Sequence, residues 1–185
     1  MLEEIASNYK NSLYRDGIIV NNHLETNIKG IFAAGDVVSK NSLIAPKLTS
    51  TAQFEGEYLS KYLQNTNIGE IQYPIVGSAV FTFPQIAQVG LSVSEARKSE
   101  FHKVVDYELS NYDFFYSGTN DNNAKLSLVF DNNNILVGAS EISQTATDGI
   151  NSFIHIIGLK LSDKEIKEHY LPIFPSIGYK VRDFL

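Results

Sequence analysis

The stretch KLSLVFDNNNILVGASEI, residues 125–142, places two strand-like runs, 125–130 and 135–142, on either side of Asp131, Asn132, Asn133 and Asn134. Asp and Asn tolerate the left-handed backbone that a tight connection needs, so the spacing predicts an antiparallel hairpin. Further strands are expected at 78–82 and 103–109. A helix over 147–159 offers Ile150, Phe153, Ile154 and Ile157 at i, i+3, i+4 and i+7, one apolar face suited to covering a sheet. Ser92 with Glu95, and Ser162 with Glu165, have the spacing of capping boxes and open two more helices, the first running through Lys98. Residues 71–185 therefore read as an α+β unit, an antiparallel β-sheet backed by helices.

Residues 1–70 differ in character. The polar, turn-rich segment NTNIGEIQYP, residues 65–74, marks the junction. Short strands are expected at 17–20 and 30–34, where small and β-branched residues are bounded by Asn, Gly and Asp. A helix follows over 50–63, opened by Ser50 and Gln53 in a capping-box pattern; Gly56 inside it costs about 1 kcal/mol relative to alanine.

Composition narrows the function classes. A chain of 185 residues with 43% apolar content holds one domain with a full core or two small units. The formal charge of -6 and the lack of a Lys/Arg cluster argue against nucleic acid. Apolar runs fall far short of the roughly 18 residues that cross a bilayer, and the acidic start is unlike a signal peptide. The chain is therefore expected to be soluble and cytoplasmic, with no membrane partner. There is no cysteine, and His23, His102, His155 and His169 are too scattered to suggest a metal site.

The segment GIFAAGD, residues 30–36, puts Asp36 directly after Gly35. At the carboxyl edge of a strand such a carboxylate can accept a hydrogen bond from a sugar-like hydroxyl, and the glycine lets a ligand approach the backbone. A plain turn after a strand is the alternative for the dipeptide taken alone.

The order and spacing of three segments go further. TNIKGIFAAGDVV, LTSTAQFEG and VFTFPQIAQVGLSVSEA together resemble the C-terminal half of the FAD-dependent pyridine nucleotide-disulfide oxidoreductases, the family of glutathione reductase, dihydrolipoamide dehydrogenase and mercuric reductase. Residues 26–36 are similar to the family's second FAD motif. Residues 48–56 resemble its LTPVAxxEG element, with Ser50 where proline is usual and Thr51 where valine is usual. Residues 80–96 resemble its VFTxPEIAxVGLTExEA block, with Gln85 in place of Glu.

The resemblance implies roles. Asp36 would bind a ribityl hydroxyl of FAD, with Gly35 permitting close approach. Leu48, Thr49, Ser50, Thr51 and Ala52 would form a helix start whose free N–H groups face the flavin pyrimidine edge, where a helix dipole favours negative charge. An ordinary capped surface helix is the alternative there. NAD(P)H would be the co-substrate of the parent protein. The family's two dinucleotide fingerprints and its Cys-x4-Cys pair are absent from these residues, so the resemblance implies a piece running from the end of an incomplete α/β FAD domain (1–70) through the dimerisation domain (71–185). It implies a homodimer that relies on the missing N-terminal FAD and NAD domains, weak FAD binding at most, and no activity alone. Residues 1–70 would then be rearranged or less well packed.

The family's HPTxxE motif aligns with FPSIGY, residues 174–179. Phe174 stands in place of the histidine that acts as acid/base, and Tyr179 in place of the glutamate that orients it. His169 is a weak substitute, since a helical histidine beside Glu168 is more often a solvated surface residue; His155 falls off the apolar face of its helix. Tyr170 and Tyr179 are candidate proton donors, with aromatic packing at a dimer interface as the alternative role. Two functions stay open: part of an active flavin disulfide reductase, or an assembly or flavin-binding module of a relative that has lost that chemistry.

Overall fold

A computed structural model describes residues 13–14, 17–39, 46–65 and 67–184. It divides into two compact units, Met1–Tyr73 and Pro74–Leu185.

In the first unit, β1 (Leu13–Tyr14) and β2 (Gly17–Ile18) pair antiparallel, and Ile18 forms a parallel bridge with Val38. A 3-10 turn at Gly35–Val37 precedes the helix α1 (Thr49–Gln64). Residues 30–34, expected as a strand, form none. The backbone of this region serves a tight turn, with the Thr26 N–H donating to the Ile31 carbonyl and the Ile31 N–H to the Ile28 carbonyl. Only Phe32 makes a bridge, to Glu25. The expected Ser50–Gln53 capping box is also absent: α1 starts one residue earlier, with Leu48 as its uncapped N-cap. The unit has a small core of Val20, Leu24, Ala33, Val38 and Ile71, flanked by partly buried Phe54, Tyr58 and Tyr73.

The second unit is built on an antiparallel sheet of β3 (Gly77–Val80), β4 (Gln85–Gly90), β5 (His102–Glu108), β6 (Lys125–Asp131) and β7 (Leu136–Ser143), in the order β3-β4-β7-β6-β5. The β6–β7 hairpin forms as expected. Asp131 closes its turn, its Oδ1 accepting from the N–H groups of Asn133 and Ile135 at 2.8 and 2.9 Å, while Asn134 takes φ +58°. β4 had been expected only as part of a motif, and it supplies the strand that joins β3 to β7.

Between the strands lie three short helices, α2 (Val93–Ala96), α3 (Leu109–Tyr112) and α4 (Phe114–Gly118). Ser92 caps α2 by accepting from the Glu95 N–H, as expected, but the helix ends before Lys98. Across the sheet lies α5 (Ala146–Leu159), burying Ala146, Gly149, Ile150, Phe153, Ile156 and Ile157. The expected apolar face is present, although Ile154 is only partly buried. Gln85 on β4 anchors the start of α5: its Oε1 accepts from the Thr147 N–H at 3.1 Å and from the Thr147 hydroxyl at 3.0 Å. Next comes α6 (Asp163–His169), with the full Ser162–Glu165 capping box, in which two hydrogen bonds to Ser162 lower the Glu165 carboxyl pKa. The chain ends in a 3-10 turn at Ile177–Tyr179 that runs into α7 (Lys180–Asp183).

One group of polar side chains sits inside this core. Lys180 donates to the Glu141 carboxylate and, at 2.6 Å, to the Tyr116 hydroxyl, which itself donates to Glu141 at 2.7 Å. The Ser143 hydroxyl gives Glu141 a further hydrogen bond at 2.7 Å. Burial pulls the Lys180 pKa down while Glu141 opposes that shift, and burial followed by the Glu141 charge pushes the Tyr116 phenol well up.

Candidate functional site: a cleft at the start of the long helix

In the first unit, five of the seven residues expected to bind a ligand line one cleft, and Thr49 and Ser50 are not in its lining. Gly35, Asp36, Ser39, Leu48, Thr51 and Ala52 line this cleft, whose volume of about 10 Å³ has room for about one water molecule. Gly35 has φ +75°, a left-handed conformation that a side chain disfavours, and a Cβ there would lie 3.2 Å from the Ala52 methyl. The turn therefore lies directly on the first turn of α1. Asp36 follows with an exposed carboxylate that has no hydrogen-bond partner among the described residues.

Glu55, which the sequence reading did not single out, holds this turn. Glu55 is 3% exposed, and its carboxylate accepts the Gly35 N–H at 2.5 Å and the Tyr73 hydroxyl at 2.7 Å. Burial, then the hydrogen bond to Glu55, pushes the Tyr73 phenol up. Glu55 lies four residues after buried Thr51, so both share one helix face. A carboxylate on that face was the available signal.

The helix start is open. Leu48 contributes no side-chain cap, and the first intrahelical bond runs from the Ala52 N–H to the Leu48 carbonyl. The N–H groups of Thr49, Ser50 and Thr51 thus lack intrahelical acceptors. Thr51 Oγ1 is buried without a hydrogen-bond partner among the described residues. Open main-chain donors and the positive end of a helix dipole suit an acceptor-rich or anionic group at the mouth of the cleft. Asp36 fits a ligand hydroxyl.

The C-terminal candidates lie in the second unit. Phe174 is 58% exposed and packs its ring against Phe114 and, at 4.9 Å between centroids, edge-on against Tyr179. The Tyr170 hydroxyl points to the Gly178 carbonyl at 3.4 Å, and burial raises its pKa, which disfavours the phenolate. Tyr170 and Tyr179 are therefore neighbours in one aromatic segment. His155 and His169 are both exposed and line a groove between α5 and α6. Among the described residues no cluster of His, Cys, Asp and Glu could hold a metal ion, and no helix is long and apolar enough to cross a membrane.

Lys180, Glu141 and Tyr116 went unnoticed in the sequence. The signal was one of parity, since Glu141 lies between inward-facing Ala139 and Ser143 on a strand where alternate residues enter the core.

Comparison with known proteins agrees with this architecture. Residues 76–181 match the dimerisation domain of the pyridine nucleotide-disulphide oxidoreductases. The chain is 34% identical over 157 residues to an uncharacterized 19.7 kDa protein of a mercuric resistance operon in Staphylococcus aureus, covering 83% of this chain and 85% of that protein. It is 31% identical over 104 residues to a dihydrolipoyl dehydrogenase of Trypanosoma brucei brucei, covering 56% of this chain but 20% of that enzyme. Among solved structures, the HOCl-induced flavoprotein disulfide reductase of Escherichia coli shares the fold with a TM-score of 0.77 at 22% identity, over 96% of this chain and 40% of that one. On the match over 76–181 and the antiparallel sheet that those residues build, the chain belongs to the pyridine nucleotide-disulphide oxidoreductase family, of which it carries the dimerisation domain.

Proposed function

We propose that the chain supplies the flavin-facing edge and the homodimer interface of an FAD-dependent, NAD(P)H-linked oxidoreductase similar to glutathione reductase, and that it is inactive alone. The observation that carries this reading is that Asp36, whose carboxylate has no hydrogen-bond partner among the described residues, shares one cleft with Leu48, Thr51 and Ala52 of the uncapped start of α1. A bound flavin would supply two-electron transfer between a nicotinamide and an acceptor. The residues of this chain would bind and orient it. Asp36 would accept from a ribityl hydroxyl, Gly35 would let that chain come close, and the N–H groups of Thr49, Ser50 and Thr51 would serve the pyrimidine edge. Exposed Phe81, Phe83, Leu171 and Ile173 supply apolar surface for a second copy of the chain.

The test is a fluorescence titration of FAD with the 185-residue chain and with Asp36→Asn. Weak binding by the chain, further weakened by the substitution, supports the reading. Equal binding by both removes it. Sedimentation that finds only monomer at high concentration removes the homodimer.

A second reading is favoured by Phe174 and Tyr179. Both are engaged in aromatic packing where the family motif carries its acid/base pair. The chain would then serve as an assembly or flavin-binding module without disulfide chemistry. NAD(P)H-dependent disulfide reduction by the protein that carries this chain would exclude it.

A further inference from the structure

The groove between α5 and α6 has a volume of about 480 Å³, within the range of about 300–1,000 Å³ usual for small-molecule sites. Its floor is aliphatic: Ile156 and Ile166 are buried, and Leu161, from the connection between the two helices, is partly buried. Ser152 and Tyr170 line it with hydroxyls that are poorly used. Their contacts, 3.5 Å to the Asp148 carbonyl and 3.4 Å to the Gly178 carbonyl, are much longer than the usual O–H···O bond. A Cβ on Gly178 would lie 3.1 Å from the Tyr170 oxygen and 3.3 Å from that of Ser152, so the two hydroxyls stand close together.

The charge of the lining has one sign. No lysine or arginine contributes to it, and its carboxylate is Glu165, which stands with the exposed imidazoles of His155 and His169. Both bonds that Glu165 accepts from Ser162, at 2.8 and 2.7 Å, fall on Oε2, and Oε1 has no partner among the described residues. The bonds to Ser162 lower the Glu165 carboxyl pKa, so the group is ionised at neutral pH. The lysines of α6 are paired elsewhere, Lys167 with Asp163 at 2.7 Å and Lys164 with Glu168 at 3.7 Å.

We propose that this groove binds a small primary amine with an apolar body, the ammonium donating to Glu165 Oε1 and the body lying over Ile156, Leu161 and Ile166. Glu165 and Tyr170 are five residues apart, about 7.5 Å along a helix, a span that suits an aromatic ring on a two-carbon stem. The carboxylate disfavours an anion, and an uncharged ligand would leave Oε1 unused. The site lies in the second unit and is independent of the flavin reading.

The test titrates phenethylamine, phenylethyl alcohol and phenylpropionate separately into the 185-residue chain at neutral pH, followed by amide NMR shifts. Phenethylamine is expected to bind at millimolar concentration or below, with shifts on α5 and α6, the alcohol about two- to fivefold more weakly, as befits an exposed ion pair, and phenylpropionate most weakly. Glu165→Gln keeps the capping box, in which glutamine also serves; it should bring the amine down to the affinity of the alcohol and leave the alcohol and the melting temperature unchanged. Leu161→Ala should weaken both. Equal binding of amine and alcohol, amine binding unchanged in Glu165→Gln, or no shifts on α5 and α6 with any of the three overturns the proposal. If Glu165→Gln lowers both affinities together with the melting temperature, the carboxylate is structural and the proposal fails. If the amine does not bind while Leu161→Ala shifts sedimentation toward monomer, the groove belongs to a second copy of the chain, which overturns it too.

Discussion

Lys180 reaches from the last helix to Glu141 in the centre of the sheet, and neither side chain of this ion pair has any exposure to solvent. Removing one partner strands a buried charge, which typically costs about 3–5 kcal/mol, whereas replacing both with apolar groups is often close to neutral. Lys180→Met is therefore expected to lower the stability of the second unit by about 3–5 kcal/mol, and Lys180→Met/Glu141→Leu to recover most of it. Urea unfolding of the two single variants and the double variant measures the coupling. Additive losses would show that the pair does not act as a unit.

Alkaline pH acts on the same group through Tyr116. Its folded pKa is raised above the ordinary 10.0, first by burial and then by the Glu141 charge. Between about pH 10 and that raised value the unfolded chain has lost the phenolic proton and the folded chain keeps it, so stability falls as pH rises. One such proton corresponds to about 1.4 kcal/mol per pH unit. Lys180 contributes with the opposite sign below 10.5, because its folded pKa is lowered by burial. Tyr116→Phe is expected to flatten the decline above pH 10, as measured by urea midpoints across pH 9–11. An unchanged slope would rule out Tyr116 as its source.

Two glycines in helices should respond in opposite directions to alanine. A Cβ on Gly149 would fall on the Glu141 carboxylate and the Lys180 ammonium, so Gly149→Ala is expected to cost about 1–3 kcal/mol despite the better helix propensity. A Cβ on Gly56 meets nothing, so Gly56→Ala should gain up to about 1 kcal/mol. Thermal melts of the two variants check the contrast.

At the cleft, Glu55→Ala is expected to release the Gly35–Val37 turn, leaving the Gly35 N–H and the Tyr73 hydroxyl without their shared acceptor. A loss of about 1–3 kcal/mol in the first unit follows from stranding these donors. Amide hydrogen exchange at Gly35 is the direct measurement. Protection that survives the substitution would mean that Glu55 does not hold the turn.

What could be read in the sequence was local. The β6–β7 turn is set by Asp131 and Asn134, whose side chains and backbone preferences act within four residues, and the Ser162–Glu165 box spans three. The buried stripe of α5 followed from helical spacing. Residues 30–34 failed because strand character depends on a pairing partner, and their backbone bonds were taken by a turn. Ser50 does not cap α1, because the helix begins at Thr49 with Leu48 as its N-cap, which leaves Ser50 inside the first turn. Gly35, Asp36, Leu48, Thr51 and Ala52 were named through a motif resemblance and line one cleft, which Thr49 and Ser50, named with them, do not. Lys180 and Glu141 lie 39 residues apart, and nothing local to either announces the other.

The bond from Gln85 to Thr147 joins positions 62 residues apart, and the pairing of β4 with β7 closes a loop of similar length. Closing so long a loop costs chain entropy before any contact offsets it, whereas β6 and β7 meet across a four-residue turn. The local hairpin is therefore the cheaper place for folding to begin, with β4 arriving late to lock the sheet onto α5. Substitutions in the β6–β7 hairpin should slow refolding, and those at Gln85 should mainly speed unfolding; the reverse pattern in stopped-flow kinetics would exclude this order.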